Sequence, residues 1–240
     1  MKFMPEELPM GLKYDLHLHS QFSDDSLIDV RKIETISKKK GLAGVAITDH
    51  SSLNGYQYLK RHSAEDFLVI PGMEVETEIG ELIGLFITEP LNTDLVDFFD
   101  VIDDIKDKNG LVVIPHPFDK LRSNHLKVDV IREEVIRQYI DAVEIVNSRI
   151  INKRYIYEAV KFQRYFDLAK TGGSDAHTHW EIGNGFTFFE SSDNDVIYSA
   201  EDLRKKIMNK ESMSYGKKSN PIVHAFTVST KWKNKLFYKK

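Results

Sequence analysis

Two short motifs point to metal chemistry. His17-Leu18-His19 and Asp175-Ala176-His177 each place two donor side chains two residues apart. On an extended strand that spacing puts both on one face, with Cα atoms about 6–7 Å apart, close enough to grip one ion. Neither pair is specific alone, but Asp49-His50, Glu74 and His116 join them, each at the end of a short apolar run. A further run, Val143-Glu144-Ile145-Val146-Asn147, ends in an amide. The chain has no cysteine, so a metal must be held by imidazole and carboxylate, a donor set suited to Zn, Mn, Fe or Mg. Several carboxylates brought together need a compensating cation. A glutamate such as Glu74 can bridge two ions through its two oxygens. A pair of ions about 3.5–4 Å apart is the arrangement that stabilises both oxygens of a displacement at phosphorus.

For these residues to meet, the chain must present strand ends at one face. Strand-like runs occupy 12–18, 44–48, 67–70, 82–87, 111–114, 142–146, 168–171 and 185–189. Amphipathic patterns lie between several of them. Asp29 is expected to cap a helix ending at Lys40-Gly41, and Thr93 one ending at Asn109-Gly110. Asp129 opens a third helix to Ile140, 151–166 reads as a fourth, and Ser199 starts a fifth. Alternating strands and helices imply βαβ units. Seven or eight strands in 240 residues favour a closed or distorted α/β barrel, whose parallel strand ends converge on one rim. Residues 74–87 read as a hairpin interrupting the alternation, with Gly80 at its turn.

Composition fits a single globular domain over 1–240, with a motif-bearing core over about 12–190 and a C-terminal helix and tail over 199–240. Apolar residues are 41%, charged residues 29% and the net charge is −4, which does not advertise a nucleic-acid surface. No apolar signal core precedes residue 8, and no run approaches the roughly 18–20 residues that span a bilayer. The expectation is a cytoplasmic protein without membrane contact.

Taken in order, these motifs resemble the PHP (polymerase and histidinol phosphatase) superfamily. The stretch from Asp15 to Asp24 is similar to its first motif, Thr48-Asp49-His50 to its second, and Pro71-Gly72-Met73-Glu74 to the segment with the bridging glutamate. Ile114-Pro115-His116-Pro117 and Gly173-Ser174-Asp175-Ala176-His177 resemble later motifs. The resemblance implies a distorted (β/α)7 barrel with two or three divalent ions. It implies His17, His19, Asp24, His50, Glu74, His116, Asp175 and His177 as ligands, with Asp15 and Asp49 orienting neighbouring imidazoles. In one departure, Glu81 stands where many members carry a histidine, and it joins the candidate ligands as an oxygen donor that favours Mn or Mg.

A phosphate ester also needs cationic donors. Arg122 and Arg149 lie in loops expected on the active face, and His177 or His179 is placed to support the leaving oxygen. The expected activity is hydrolysis of a small phosphate monoester or nucleotide by water activated at the ions. Less favoured are a PHP-type nuclease on RNA or DNA, supported only by the basic aromatic tail 231–240, a non-catalytic metal-binding module, and an amidohydrolase. His62, His125 and His224 lack a strand-end context and are expected to be structural.

Overall fold

A computed structural model describes residues 2–3, 5, 7–50, 52–122, 124–191, 197, 199–223 and 227. The basic tail and His224 lie outside these residues. In chain order the strands are β1 Lys2–Phe3, β2 Gly11–Asp15, β3 Gly44–Ile47, β4 Leu68–Thr77, β5 Gly80–Leu85, β6 Leu111–Ile114, β7 Ala142–Asn147, β8 Ala169–Gly173, β9 Gly185–Glu190 and β10 Met213–Lys217. The helices are α1 Ile33–Lys39, α2 Asn54–His62, α3 Phe98–Asp107, α4 Glu133–Tyr139, α5 Lys153–Phe166 and α6 Ala200–Met208.

The strands form one sheet in the order β1-β10-β9-β2-β3-β4-β5-β6-β7-β8. The runs β2-β3-β4 and β6-β7-β8 are parallel. The expected hairpin is present: β5 lies antiparallel to both β4 and β6, pairing Glu74 with Ile83 and Glu76 with Glu81. The sheet curls until its last strand meets β2. Leu16 N donates to Gly172 O at 3.4 Å, Asp175 N to His17 O at 2.7 Å and His19 N to Ala176 O at 3.0 Å. β9 closes over the seam antiparallel to β2. It approaches so tightly that a Cβ on Gly185 would stand 2.0 Å from the Gly173 carbonyl oxygen. The result is the expected distorted, nearly closed barrel.

Its interior is filled by one side chain or more from every strand from β2 to β9, among them Tyr14, Ala46, Ile70, Ile83, Val113, Ala142, Ala169 and Phe189. Leu203 and Ile207 of α6 belong to the same cluster and plug it beside the strand starts. The other helices cover the outside. α3, α4 and α5 pack on one apolar cluster, and α1 and α2 on another. No helix among the described residues is long and apolar enough to cross a membrane.

Helix starts differ from expectation in three places. Asp29 caps a short 3-10 turn, Val30–Lys32, and α1 follows from Ile33. Asp97, not Thr93, caps α3, accepting from Phe99 N at 2.9 Å and Asp100 N at 3.2 Å. Asp129 lies in a short 3-10 turn, and α4 begins only at Glu133. The sequence reading also missed α2, whose second residue is a glycine. Gly55 is required there because a Cβ would fall 2.2 Å from the Asp49 carboxylate.

Candidate metal centre at the strand ends

The donors converge just past the ends of the parallel strands. His17 and His19 extend from β2, His50 from β3, His116 from β6, and Asp175 and His177 from β8, while Glu74 and Glu81 face each other's neighbourhood across the β4–β5 hairpin. Donor atoms fall into four overlapping groups, each within 4.8 Å: His19, Asp25, His50 and His177; His17, His116 and Asp175; His17, His19 and Glu74; and His50, Glu74 and Glu81. Glu74 stands at the centre. Its Oε2 lies 3.1 Å from His19 Nε2, 3.4 Å from His17 Nε2 and 3.7 Å from His50 Nε2, and its Oε1 lies 3.2 Å from His116 Nε2. Residues more than fifty positions apart thus share one small volume.

Hydrogen bonds aim the imidazoles. His17 Nδ1 meets Glu144 Oε1 at 3.1 Å, His50 Nδ1 meets Glu74 O at 3.3 Å, and His177 Nδ1 meets Asp175 O at 2.8 Å. Each partner is an acceptor, so Nδ1 carries a proton and Nε2 is the ring atom turned into the cluster. His19 Nδ1 reaches Ser23 Oγ at 3.3 Å, and that hydroxyl donates to Asp49 Oδ1 at 3.0 Å. Asp49 therefore orients His19 only through Ser23. It also accepts from Ser20 N and Ser20 Oγ, both at 2.6 Å. Asp15 touches no imidazole ring: it accepts from His17 N at 3.4 Å and ties the seam together by accepting from Ser174 N and Gly183 N, each at 2.8 Å. Burial raises the Asp15 pKa to about 6, although those bonds oppose the shift.

Two donors sit on backbone that ordinary residues avoid. His116 has φ of 28° and Asp175 φ of 53°. The amide of each is held, His116 N by Glu144 Oε2 at 2.9 Å and Asp175 N by His17 O. Such strain persists where the surroundings over-determine it, and it clusters at functional sites.

The electrostatics call for cations. Burial and the charges of Glu74 and Asp175 push the Glu81 pKa well above the usual carboxylate range. Glu74 and Asp175 are held well below it despite their burial, by His17 and His116 around Glu74 and chiefly by Arg122 beside Asp175. Burial and Arg122 lower the His116 pKa, and burial and His19 lower that of His177. Three buried carboxylate oxygens, Asp25 Oδ1, Glu81 Oε2 and Asp175 Oδ1, have no hydrogen-bond partner. Unpartnered buried acceptors are costly, and a divalent ion satisfies them. The donor set and its orphaned oxygens fit hard or borderline divalent ions.

The structure brings His17, His19, His50, Glu74, Glu81, His116, Asp175 and His177 together, but not Asp24. Asp24 is exposed on the wall of the cavity, and its neighbour Asp25 turns inward, with Oδ2 3.2 Å from His177 Nε2 and 3.8 Å from His50 Nε2. The loop between His19 and Ile28 is irregular, so no strand or helix period sets which of the two acids faces in. Glu144 was also missed, although a lone charge inside an apolar strand was a usable signal. His179 does not join the cluster: its Nε2 accepts from Asp29 N at 3.2 Å. His62 and His125 cap carbonyls of Tyr58 and Arg122, each at 2.7 Å.

The cluster forms the floor of a cavity of about 760 Å³, within the range of small-molecule sites. Both candidate arginines line it. Arg122 pairs with Asp175 and, at 3.3 Å, with Asp119. Arg149 is buried, its Nε 2.8 Å from Glu181 Oε1 and its Nη2 2.6 Å from Thr227 Oγ1.

Comparison with known proteins follows the same lines. A family model described as PHP domain matches residues 15–179, and one described as PHP-associated matches residues 154–211. An uncharacterized protein of Methanocaldococcus jannaschii is 34% identical over 196 residues, 81% of this chain and 76% of its own. A two-domain protein of Bacteroides vulgatus containing a predicted PHP-like metal-dependent phosphoesterase superposes with a TM-score of 0.69 at 18% identity, over 92% of this chain and 70% of its own. An amidohydrolase of Chromobacterium violaceum, with bound sulfate and no metal, has a TM-score of 0.60 at 14% identity, over 83% of this chain and 97% of its own. At such identities the structural likeness speaks for the fold.

Proposed function

This chain belongs to the PHP family, and from that premise we propose that it is a divalent-metal-dependent phosphoesterase acting on a small phosphate monoester or nucleotide. The observation that carries the reading is the convergence of five imidazoles and four carboxylates on one cavity floor, with three of the carboxylate oxygens buried and unpartnered. His17, His19, Asp25, His50, Glu74, Glu81, His116, Asp175 and His177 would hold two or three divalent ions, which when bound would supply a nucleophile from water near neutral pH and offset charge on the phosphoryl group.

The remaining work falls to the chain. Glu144, Ser23 and two backbone carbonyls hold Nδ1 of His17, His19, His50 and His177, so that Nε2 of each would face the ions. Glu74, with imidazoles on both of its oxygens, would hold ions through its carboxylate. Arg122 offers a planar guanidinium beside Asp175, and the surrounding carboxylates keep it cationic, so it is the residue to meet phosphoryl oxygens. Arg149 has Glu181 on one edge and acts first in shaping the wall. His177, with its pKa lowered and its Nδ1 on a carbonyl, serves as a donor to the ions rather than as an acid for the leaving group.

Seven carboxylates and only two arginines line the cavity among the described residues, which favours a compact substrate carrying one phosphate group over an extended polyanion. An amidase reading draws on the Chromobacterium violaceum neighbour. Against it, no lysine of the kind that becomes carboxylated in such enzymes lines the cavity among the described residues. Hydrolysis of p-nitrophenyl phosphate with added Mn is the expected result. Preferential cleavage of the bis-ester makes the protein a phosphodiesterase, and turnover of an N-acyl substrate alone overturns the reading.

A further inference from the structure

Glu181 lies outside every donor group, yet it is as buried as the donors, with about 1% of its side chain exposed. Its carboxylate collects five donors. Oε1 accepts from Arg149 Nε at 2.8 Å, and Oε2 from Arg149 Nη2 at 3.3 Å. Oε2 also accepts from His177 N at 3.1 Å, Thr178 N at 3.0 Å and Thr178 Oγ1 at 3.0 Å. One group thus ties the loop that carries His177 to the loop after β7, and through Arg149 to Thr227 on the cavity wall.

A buried ion pair is seldom retained for stability alone, because packed apolar side chains of similar size serve as well. What this pair adds is position. The β8–β9 loop has only an isolated bridge beside His177, at Ala176, and its two peptide planes are held from both sides: the Ala176 and His177 carbonyls accept from His19 N and Leu27 N, and the His177 and Thr178 amides donate to Glu181. His177 Nε2 must point at Asp25, His19 and His50 for that group of donors to close. A shift of the loop by a fraction of an ångström opens this group and leaves the groups built on Glu74 and His116 intact.

We propose that Glu181, clamped by Arg149, is a positioning residue for the ion held by His19, Asp25, His50 and His177, and sets the affinity of that ion independently of the others. The proposal rests on the reading of His177 as a metal donor but not on the substrate, so metal binding tests it whether or not a phosphate ester turns over.

The experiment titrates purified apoprotein with Mn(II) and reads stoichiometry and affinity by calorimetry and elemental analysis. Glu181→Gln keeps the shape but turns an NH2 group toward either Arg149 or the amides. It is expected to weaken one ion at least tenfold and leave the rest unchanged. Combined with His177→Ala it should cost no further ion, whereas combined with His116→Ala it should cost another. Glu181→Asp should restore part of the affinity. Arg149→Lys, which keeps the charge and loses the fork, is the check if Glu181→Gln fails to fold, and should weaken the same ion by a smaller factor. Unchanged affinity for every ion in a folded Glu181→Gln or Arg149→Lys protein overturns the proposal, as does uniform weakening of all of them. If His177→Ala itself loses no ion, the reading of His177 as a donor fails instead.

Discussion

The two ends of the barrel are buried to a similar degree and built on opposite principles. At the strand starts, Leu203 and Ile207 of α6 close the interior against Leu111, Ala142 and Ala169. At the strand ends, His19, His116 and Asp175 are just as inaccessible, but they are polar, crowded and in part unsatisfied. The first end holds the fold by removing apolar surface from water. The second strains it, through like charges, orphaned oxygens and left-handed backbone, a strain that Arg122 offsets in part and that bound cations would relieve further. One sheet therefore separates the residues that make the protein stable from those that make it reactive.

The sharpest way to break this contrast is to remove one residue from the reactive end. His17→Ala should cut phosphoesterase turnover by roughly a thousandfold or more, about 4 kcal/mol of barrier, with little change in the melting temperature. Activity within tenfold of the parent would dissolve the assignment of that end. The opposite result is expected at the other end. Leu203→Ala should cost about 2–5 kcal/mol in urea unfolding and leave kcat per folded molecule unchanged. A change in kcat without a change in stability would show that the ends are not separable.

Cation loading should move the reactive end toward the stable one. At a metal concentration about a hundredfold above Kd, stability rises by about 2.7 kcal/mol per independent ion, seen as a higher melting temperature than in chelator-treated protein. Equal melting temperatures would mean that the clustered acids need no ion. The smallest effect separates two adjacent acids. Asp25→Asn should weaken one ion by about 10–100-fold, and Asp24→Asn by less than twofold, read by metal titration. The reverse order would return Asp24 to the site.

How much was legible follows the same division. Donors on or just past strands could be read because the period of two and the strand end fix direction: His17 with His19, Glu74, and Asp175 with His177. The β4–β5 hairpin was visible from Gly80 between two apolar runs. Asp25 was not, since in an irregular loop one residue reverses the side chain without altering the pattern. α2 was hidden because its glycine, which weakens a helix in isolation, is there to admit the Asp49 carboxylate. β10 was hidden because Met213-Ser214-Tyr215-Gly216-Lys217 has little apolar content and is a strand by pairing with β9 and β1. The contacts of Glu181 were half visible: Thr178 stands three residues before it, but Arg149 comes from a distant loop that no local pattern connects to it.

The seam between β2 and β8 has a consequence for biosynthesis. His17 and Asp175, joined there backbone to backbone, are among the first and the last donors to leave the ribosome. A nascent chain that has reached only β7 already carries the donors of two groups, His17 with His19 and Glu74, and His50 with Glu74 and Glu81, but lacks Asp175 and His177, which complete the other two. Full loading with ions would thus wait on the far end of the polypeptide.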